Sequence, residues 1–452
     1  MPDHPIASAA LPLSRDAMSE VARGALQVAR ERGASDAEVE VSAAVGQSVT
    51  VRRGEVETVE YNRDKGLGIT VYFGERRGNA STSDLSREAV ARTVEAACAI
   101  ARHTAEDEAA GLPDADRLYR GEPPDLQLFH PWGLSVEEAI EVAKRTEAAA
   151  LAVDKRISNS EGATVSTYDT DFILANTRGF LAGFPNSKAS IGCGVVAEDA
   201  NGMQRDYWFS SERDPMRLET AESVGRTAGE RTVRRLGGRR IPTGEAPVLF
   251  EAGIAGSLLA HFVMAASGSS LYRRSSFLLD RLETPVFAPG VEIVEDPFLP
   301  GAMASGYFDA EGVATQRRRV VEAGVLKGWF LSSYSARKLG LATTGNAGGN
   351  HNLILQPGDR DLAGLAALMG RGLLVTEMMG QGVNPVTGDY SRGAAGFWVE
   401  GGEIRFPVEE VTIAGNLLDM FRGIVAVGRD VLVRGSKQTG SILVERMTIA
   451  GD

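Results

Sequence analysis

Histidine and cysteine are scarce in this sequence. Its 452 residues include five histidines, at positions 4, 103, 130, 261 and 351, and two cysteines. No two histidines are spaced to meet on adjacent helical turns, which excludes a local His-x-x-x-His or His-Glu-x-x-His metal motif. Only tertiary folding could gather His261, His351 and a carboxylate, and isolated histidines are more often hydrogen-bonded core or surface residues. Cys98 falls in a helical pattern and Cys193 in a buried-strand pattern, Ile191-Gly192-Cys193-Gly194-Val195-Val196. One disulfide is arithmetically possible, but two cysteines make no secreted disulfide framework, and a buried thiol is inert. A surplus of positive charge is also missing. The formal net charge is -12, which repels phosphate backbones and argues against nucleic acid as a direct partner. Short basic clusters at Arg234, Arg235, Arg239 and Arg240, and at Arg317 to Arg319, read as solvated faces.

Long apolar runs are lacking too. Ala252 to Tyr272 carries no Asp, Glu, Lys or Arg, but it contains Ser257 and His261 and closes on Ser267-Gly268-Ser269-Ser270. It reads as a buried core helix rather than a membrane span. Met1 to Ser14 holds three prolines and no basic region followed by an apolar run, so it does not read as a signal peptide. A soluble, cytoplasmic protein is the expectation. The Gly-x-Ser-x-Gly elbow and the phosphate-cradling Gly-x-x-x-x-Gly-Lys-Ser/Thr loop are both absent.

What is present is glycine, at 52 residues, with aromatics at only 6%. That pairing suggests strands and tight turns. A helix is expected from about Ser14 to Arg32, capped by Ser14 and stopped at Gly33, and a second from Ser86 to His103. Between them, strands are expected at Glu38–Val45, Ser48–Arg53, Val56–Tyr61 and Leu67–Phe73. They are separated at Gly46-Gln47, Gly54-Glu55 and Gly74-Glu75. The acidic, proline-bearing stretch Glu106 to Pro131 reads as a linker. A third helix starts at the capping box Ser135-Val136-Glu137-Glu138. Short strands from Ala163 to Phe209 turn at Asp169-Thr170, Arg178-Gly179 and Asn201-Gly202, and a fourth helix covers about Leu218 to Leu236. Past Pro242 strands dominate, with buried helices near Glu251–Val263 and Asp361–Met369. The fold class is α+β: an N-terminal helix-plus-antiparallel-sheet region followed by a β-rich C-terminal domain with a buried helix. The expected domains are 14–110, 118–236 and 242–452.

The most distinctive segments lie near the end. Gly388-Asp389-Tyr390-Ser391-Arg392-Gly393-Ala394-Ala395-Gly396-Phe397-Trp398-Val399-Glu400 leads into Pro407-Val408-Glu409-Glu410-Val411-Thr412-Ile413-Ala414-Gly415-Asn416-Leu417. With Pro300 to Val313 and Gly345 to Asn350, they closely resemble the TldD/PmbA family on its PmbA (TldE) branch, and the resemblance covers nearly the whole chain. In that family the TldD branch carries His-Glu-x-x-x-His on a helix, where two histidines and a distant cysteine hold zinc and the glutamate acts as general base. The matching stretch here reads Phe250-Glu251-Ala252-Gly253-Ile254-Ala255. Phe250 and Ala255 stand in for the histidines, Glu251 is kept, and Gly435 to Gly440 offers no sulfur.

The resemblance therefore implies a chain with no cofactor of its own. It would be the non-catalytic subunit of a cytoplasmic metallopeptidase, in a heterodimer whose TldD-like partner carries the zinc. The family's complex degrades unfolded peptides and is associated with microcin-precursor processing and antitoxin clearance. Glu251 reads as a paired structural acid. Gly380 to Gly402 is the candidate peptide-lining stretch, with Asp389, Tyr390, Ser391, Arg392 and Gly393 as its named candidates, and Asp389 and Arg392 spaced to pair and pin a loop. The competing readings are a stand-alone peptide hydrolase using Glu251 with other acids and a different metal, and a non-enzymatic binding or regulatory homodimer.

Overall fold

A computed structural model describes residues 11–451; His4 and most of the proline-bearing N-terminal stretch lie outside them. Helix α1 (Arg15–Glu31) begins where the Ser14 hydroxyl accepts from the Ala17 N–H, and α2 (Arg87–His103) where Ser86 does the same for Ala89. Between them run β1 (Asp36–Arg52), β2 (Glu55–Phe73) and β3 (Arg76–Thr82). Helix α3 (Val136–Leu151) carries the expected capping box. The strands β4 (Ile157–Asn176), β5 (Leu181–Ala182), β6 (Asn186–Asp199) and β7 (Gly202–Glu212) follow, and then α4 (Ala221–Arg234). All seven strands form one antiparallel sheet in the order β3-β2-β1-β4-β6-β7, with β5 on β4. The strands of the first two expected domains thus hydrogen-bond to each other, β1 against β4.

Parity along β1 explains the layering. Val39 and Val41 pack with α1 and α2, and Val49 and Val51 pack with α3 and α4. These odd-numbered residues share one face of the strand, so the four helices cover one side of the sheet in two pairs. Two expected breaks are not formed. β1 runs straight through Gly46-Gln47, and β4 runs straight through Asp169-Thr170. Gly46 is there for clearance: a Cβ would lie 3.0 Å from the Tyr168 ring. Asp169 and Thr170 are polar but sit in register with Val45 and Ala44 on one side and Ser187 and Asn186 on the other, so the ladder holds them extended. The Asn62–Gly66 gap is likewise part of β2. The turns at Gly54, Gly74, Arg178-Gly179 and Asn201-Gly202 are as expected.

The C-terminal half holds β8 (Gly244–Phe250), α5 (Ala252–Ala265), α6 (Gly268–Tyr272), β9 (Ile293–Asp296), β10 (Arg318–Glu322), β11 (Val325–Leu326), α7 (Ser333–Leu339) and β12 (Asn352–Leu355). It continues with α8 (Leu362–Met369), β13 (Arg371–Met379), β14 (Asp389–Glu400), β15 (Glu403–Asn416), α9 (Leu417–Arg422), β16 (Ile424–Val427), β17 (Leu432–Val433), β18 (Lys437–Thr439) and β19 (Ile442–Ala450). One sheet runs β11-β10-β9-β12-β18-β17. The other, β15-β14-β13-β8-β19, closes on itself because β15 also pairs with β19. This ring removes free edges from its five strands. Helix α5 packs Leu258, Leu259 and Phe262 into the largest core cluster. Among the described residues, no helix is long and apolar enough to cross a membrane. Cys98 and Cys193 are both free and buried, and burial pushes the Cys193 thiol up to about 12.

Two expectations are corrected here. Glu106 to Pro131 is not a free linker. Leu112, Leu118, Leu126 and Leu128 are buried, Leu118 bridges to Val313, and Asp107 takes a 2.6 Å ion pair from Lys338. The basic clusters are not uniformly solvated either. Arg235 pairs with Asp206 and Glu377, Arg234 lies 4.7 Å over the Phe397 ring, and Arg318 bonds the buried Glu295 at 2.7 Å. Arg240, Arg317 and Arg319 remain exposed.

The second face of the sheet meets the C-terminal half through Phe172 and Leu174 of β4, which pack with Tyr307 and Phe308. Glu38 of β1 is half-buried at this junction near Asp309, Glu311, Glu40 and Arg77. Burial, then the neighbouring carboxylates, raises Glu38 to about 8. Burial also raises Asp309 to about 7, against the N–H groups of Ala347, Glu311 and Val313 that it accepts. A carboxyl whose pKa is raised in the folded state keeps its full contribution to stability below its unfolded value. That contribution is lost as pH rises through the folded pKa. The melting temperature should therefore fall as pH rises from about 4.5 to about 8. Glu38→Gln should flatten that slope in a pH series of thermal melts; an unchanged slope would remove Glu38 from the account.

Candidate functional site

Where β8 ends, the chain turns at Glu251 and enters α5. The first turn of α5 opens into a cavity of about 670 Å³ between the N-terminal sheet and the C-terminal half. β7 contributes Arg205 to Trp208, α4 contributes Arg231, and β13 contributes Thr376 to Met378. Arg392 comes from β14, and Arg434 and Lys437 come from the segment around β17 and β18.

Glu251 does not cap α5 with its side chain. Both its oxygens face Arg231, with Nη1 donating to Oε1 at 3.0 Å and Nη2 3.0 Å from Oε2. Arg231 also reaches Asp206, Nε to Oδ2 at 3.4 Å, and Asp206 in turn meets Arg235 at 3.8 Å. The pair is nearly excluded from solvent, with Arg231 and Glu251 side chains 14% and 15% exposed. The Oε1 contact is a charge-assisted hydrogen bond, while Oε2 is held by charge alone and has no hydrogen-bond partner.

Phe250 and Ala255 point elsewhere. Both are fully buried in the apolar core, Phe250 at the end of β8 and Ala255 in the first turn of α5. The stretch from 250 to 255 therefore crosses a strand–helix boundary. It cannot present its two ends on adjacent turns of one helix, as a helical metal motif would. The histidine that α5 does carry, His261, lies edge-on to Tyr390 with ring centroids 5.9 Å apart, and its Nε2 has no hydrogen-bond partner. Burial, then Arg392, pulls its pKa down, so the imidazole is neutral near pH 7. His351 is elsewhere, its Nε2 2.9 Å from the Gly345 carbonyl.

The five candidates at 389–393 do not act together, because they begin a strand rather than a loop. Alternation sends Asp389, Ser391 and Gly393 to one face and Tyr390 and Arg392 to the other. Asp389 accepts from Thr387 at 2.6 Å, and its expected pairing with Arg392 is not formed. Tyr390 is buried, and Arg392 alone of the five lines the cavity. Sequence reading missed Arg231, Arg434 and Lys437. The segment Gly435 to Gly440 offers no sulfur, yet its strand β18 supplies Lys437.

The residues present do not fit a zinc ion. Among the described residues, no group of three or more His, Cys, Asp or Glu is placed to hold a metal. Glu251 is already committed to a guanidinium, and the cavity carries more cations than acids.

The fold is mixed α/β, and family models relate it to metallopeptidases. The family models for the PmbA/TldA metallopeptidase match residues 37–101 (domain 1), 129–236 (central domain) and 243–451 (C-terminal domain). The chain belongs to the TldD/PmbA family, on its PmbA branch. It is 48% identical over 438 residues, 97% of each chain, to Metalloprotease PmbA of Escherichia coli O157:H7. A crystal structure of a candidate modulator of DNA gyrase from Bacteroides thetaiotaomicron matches with a TM-score of 0.92. It is 28% identical, over 97% of this chain and 100% of that one. TldE from Thermococcus kodakarensis shares the fold, with a TM-score of 0.83 at 20% identity over 95% of this chain and 100% of that one.

Arg231→Met should destabilise the protein by about 3–5 kcal/mol, because it strands Glu251 in a poorly solvated place and leaves Asp206 with Arg235 alone. Arg231→Met combined with Glu251→Leu should recover part of that loss. Urea denaturation of the two variants tests this, and a single variant as stable as the parent would contradict it.

Proposed function

We propose that this chain is the non-catalytic subunit of a TldD/TldE-type metallopeptidase complex that degrades or processes unfolded peptides. In this reading it brings no metal of its own and joins a TldD-like subunit that holds the zinc. The observation that carries the proposal is Glu251. In a family of metallopeptidases, the carboxylate at this place is held by Arg231. A carboxylate turned onto a guanidinium is not aimed at a metal-bound water, which is the position a general base needs.

The cavity supports the same reading. It lies against Thr376 to Met378 of β13, where β8 pairs only with Leu373 to Val375 before leaving the sheet. An open stretch of strand can grip an extended peptide by its main chain, which gives broad sequence tolerance. We further take the complex to be cytoplasmic, in line with two free, buried thiols and no disulfide between them. The net charge of -12 disfavours nucleic acid as its partner.

Co-expression with a relative that bears His-Glu-x-x-x-His tests the proposal. Equimolar co-purification is expected, with hydrolysis of an unfolded peptide by the complex and none by this chain alone. Hydrolysis by the isolated chain that disappears in Glu251→Gln would overturn it in favour of a stand-alone hydrolase. Failure to associate with the relative would favour a homodimeric binding protein.

A further inference from the structure

The cavity's charge balance carries one more step. Its lining includes five cationic side chains, Arg205, Arg231, Arg392, Arg434 and Lys437, against three acidic ones, Asp206, Glu251 and Glu377. Each acid is engaged: Glu251 by Arg231, Asp206 by Arg231 and Arg235, and Glu377 by Arg235. Arg205 is satisfied by Glu161 at 2.9 Å. Arg392, Arg434 and Lys437 are left without a carboxylate partner among the described residues. In a chain of net charge -12, three uncompensated cations around one half-enclosed space are an energetic cost that a bound anion would offset.

We propose that this cavity is a carboxylate site, taking the free C-terminal carboxylate of an extended peptide on Arg392, Arg434 and Lys437. The proposal rests on the peptidase-subunit reading only for the identity of the anion's carrier. Six buried polar atoms on its lining residues have no hydrogen-bond partner: Ser257 Oγ, Thr376 Oγ1, Arg392 Nε and Arg434 Nε, together with Arg231 Nε and Glu251 Oε2 of the ion pair. Their convergence on one cavity sets it apart, since buried polar atoms in native proteins are nearly always paired.

The guanidinium of Arg434 is held rather than loose. It lies 4.0 Å from the ring centroids of both Trp208 and Phe209, and its Nη2 donates to the Phe209 carbonyl at 3.0 Å. It also stands at the mouth of α5. A Cβ built on Gly253 would be 3.9 Å from Arg434 Nη1, and one on Gly256 would be 3.8 Å from Lys437 Cβ. The positive end of a 14-residue helix therefore adds to the same field. Burial lowers the pKa of Arg434 and Lys437, as expected for cations that await a counter-charge. A peptide is the favoured carrier over free phosphate because Trp208, Ile254, Met378 and Leu432 give the walls apolar surface, and β13 runs open beside them.

Fluorescence anisotropy on the purified full chain tests the proposal, using one unstructured labelled peptide as its free C-terminal acid and as its C-terminal amide. The acid should bind about tenfold or more tightly than the amide, which corresponds to about 1.4 kcal/mol. Lys437→Gln and Arg434→Gln should each erase most of that preference. Lys437→Gln should melt no lower than the parent, since it removes an uncompensated cation. Equal binding of acid and amide, or full preference retained in both variants, would overturn the proposal. So would binding of inorganic phosphate without binding of the peptide acid. Because the assay uses this chain alone, its failure leaves association with a TldD-like relative untouched. Loss of that association, with the acid preference intact, would instead remove the subunit reading.

Discussion

One ion pair sets the character of the site: the two-point contact between Arg231 of α4 and Glu251 at the mouth of α5. It joins the helix-covered sheet of the N-terminal half to the closed ring of strands in the C-terminal half. It also decides the local chemistry. With Glu251 neutralised, and Asp206 and Glu377 absorbed by Arg231 and Arg235, the remaining cations dominate the cavity. A divalent metal would meet repulsion there, whereas a carboxylate would meet a fork, an ammonium and a helix N-terminus.

The fold around this pair follows from simple constraints. Four helices with small apolar faces cover one side of a long sheet, because Val39, Val41, Val49 and Val51 project from the same side of a single strand. The other side is available to Tyr307 and Phe308, and the segment from 106 to 131 straps the halves together through four buried leucines. The charge-free helix α5 is shielded in the largest core cluster, and only its first turn reaches the cavity.

Local signals in the sequence were legible wherever they act locally. Ser14, Ser86 and the Ser135/Glu138 box announce helices because a hydroxyl or carboxylate satisfies amides within three residues of itself. Gly54 and Gly74 announce hairpins for a similarly short-range reason. Gly46 and Asp169-Thr170 misled, because there the neighbouring strands decide the conformation: a ring from β4 needs the space at Gly46, and two flanking strands hold Asp169 extended. The site was less legible still. Glu251 read as a paired acid, but Arg231 reaches the cavity from α4 and Arg434 and Lys437 from the β17–β18 segment, and no spacing rule connects the two places. Arg235 and Arg318 read as solvated charge for the same reason, since their acids are distant in sequence.

Crystals of the chain grown with zinc, and measured by anomalous diffraction at the zinc edge, test the central claim most directly. The account predicts no anomalous peak within bonding distance of Glu251 or His261, with Arg231 still on Glu251. A strong peak ligated by Glu251 or His261, with Arg231 displaced, would contradict it.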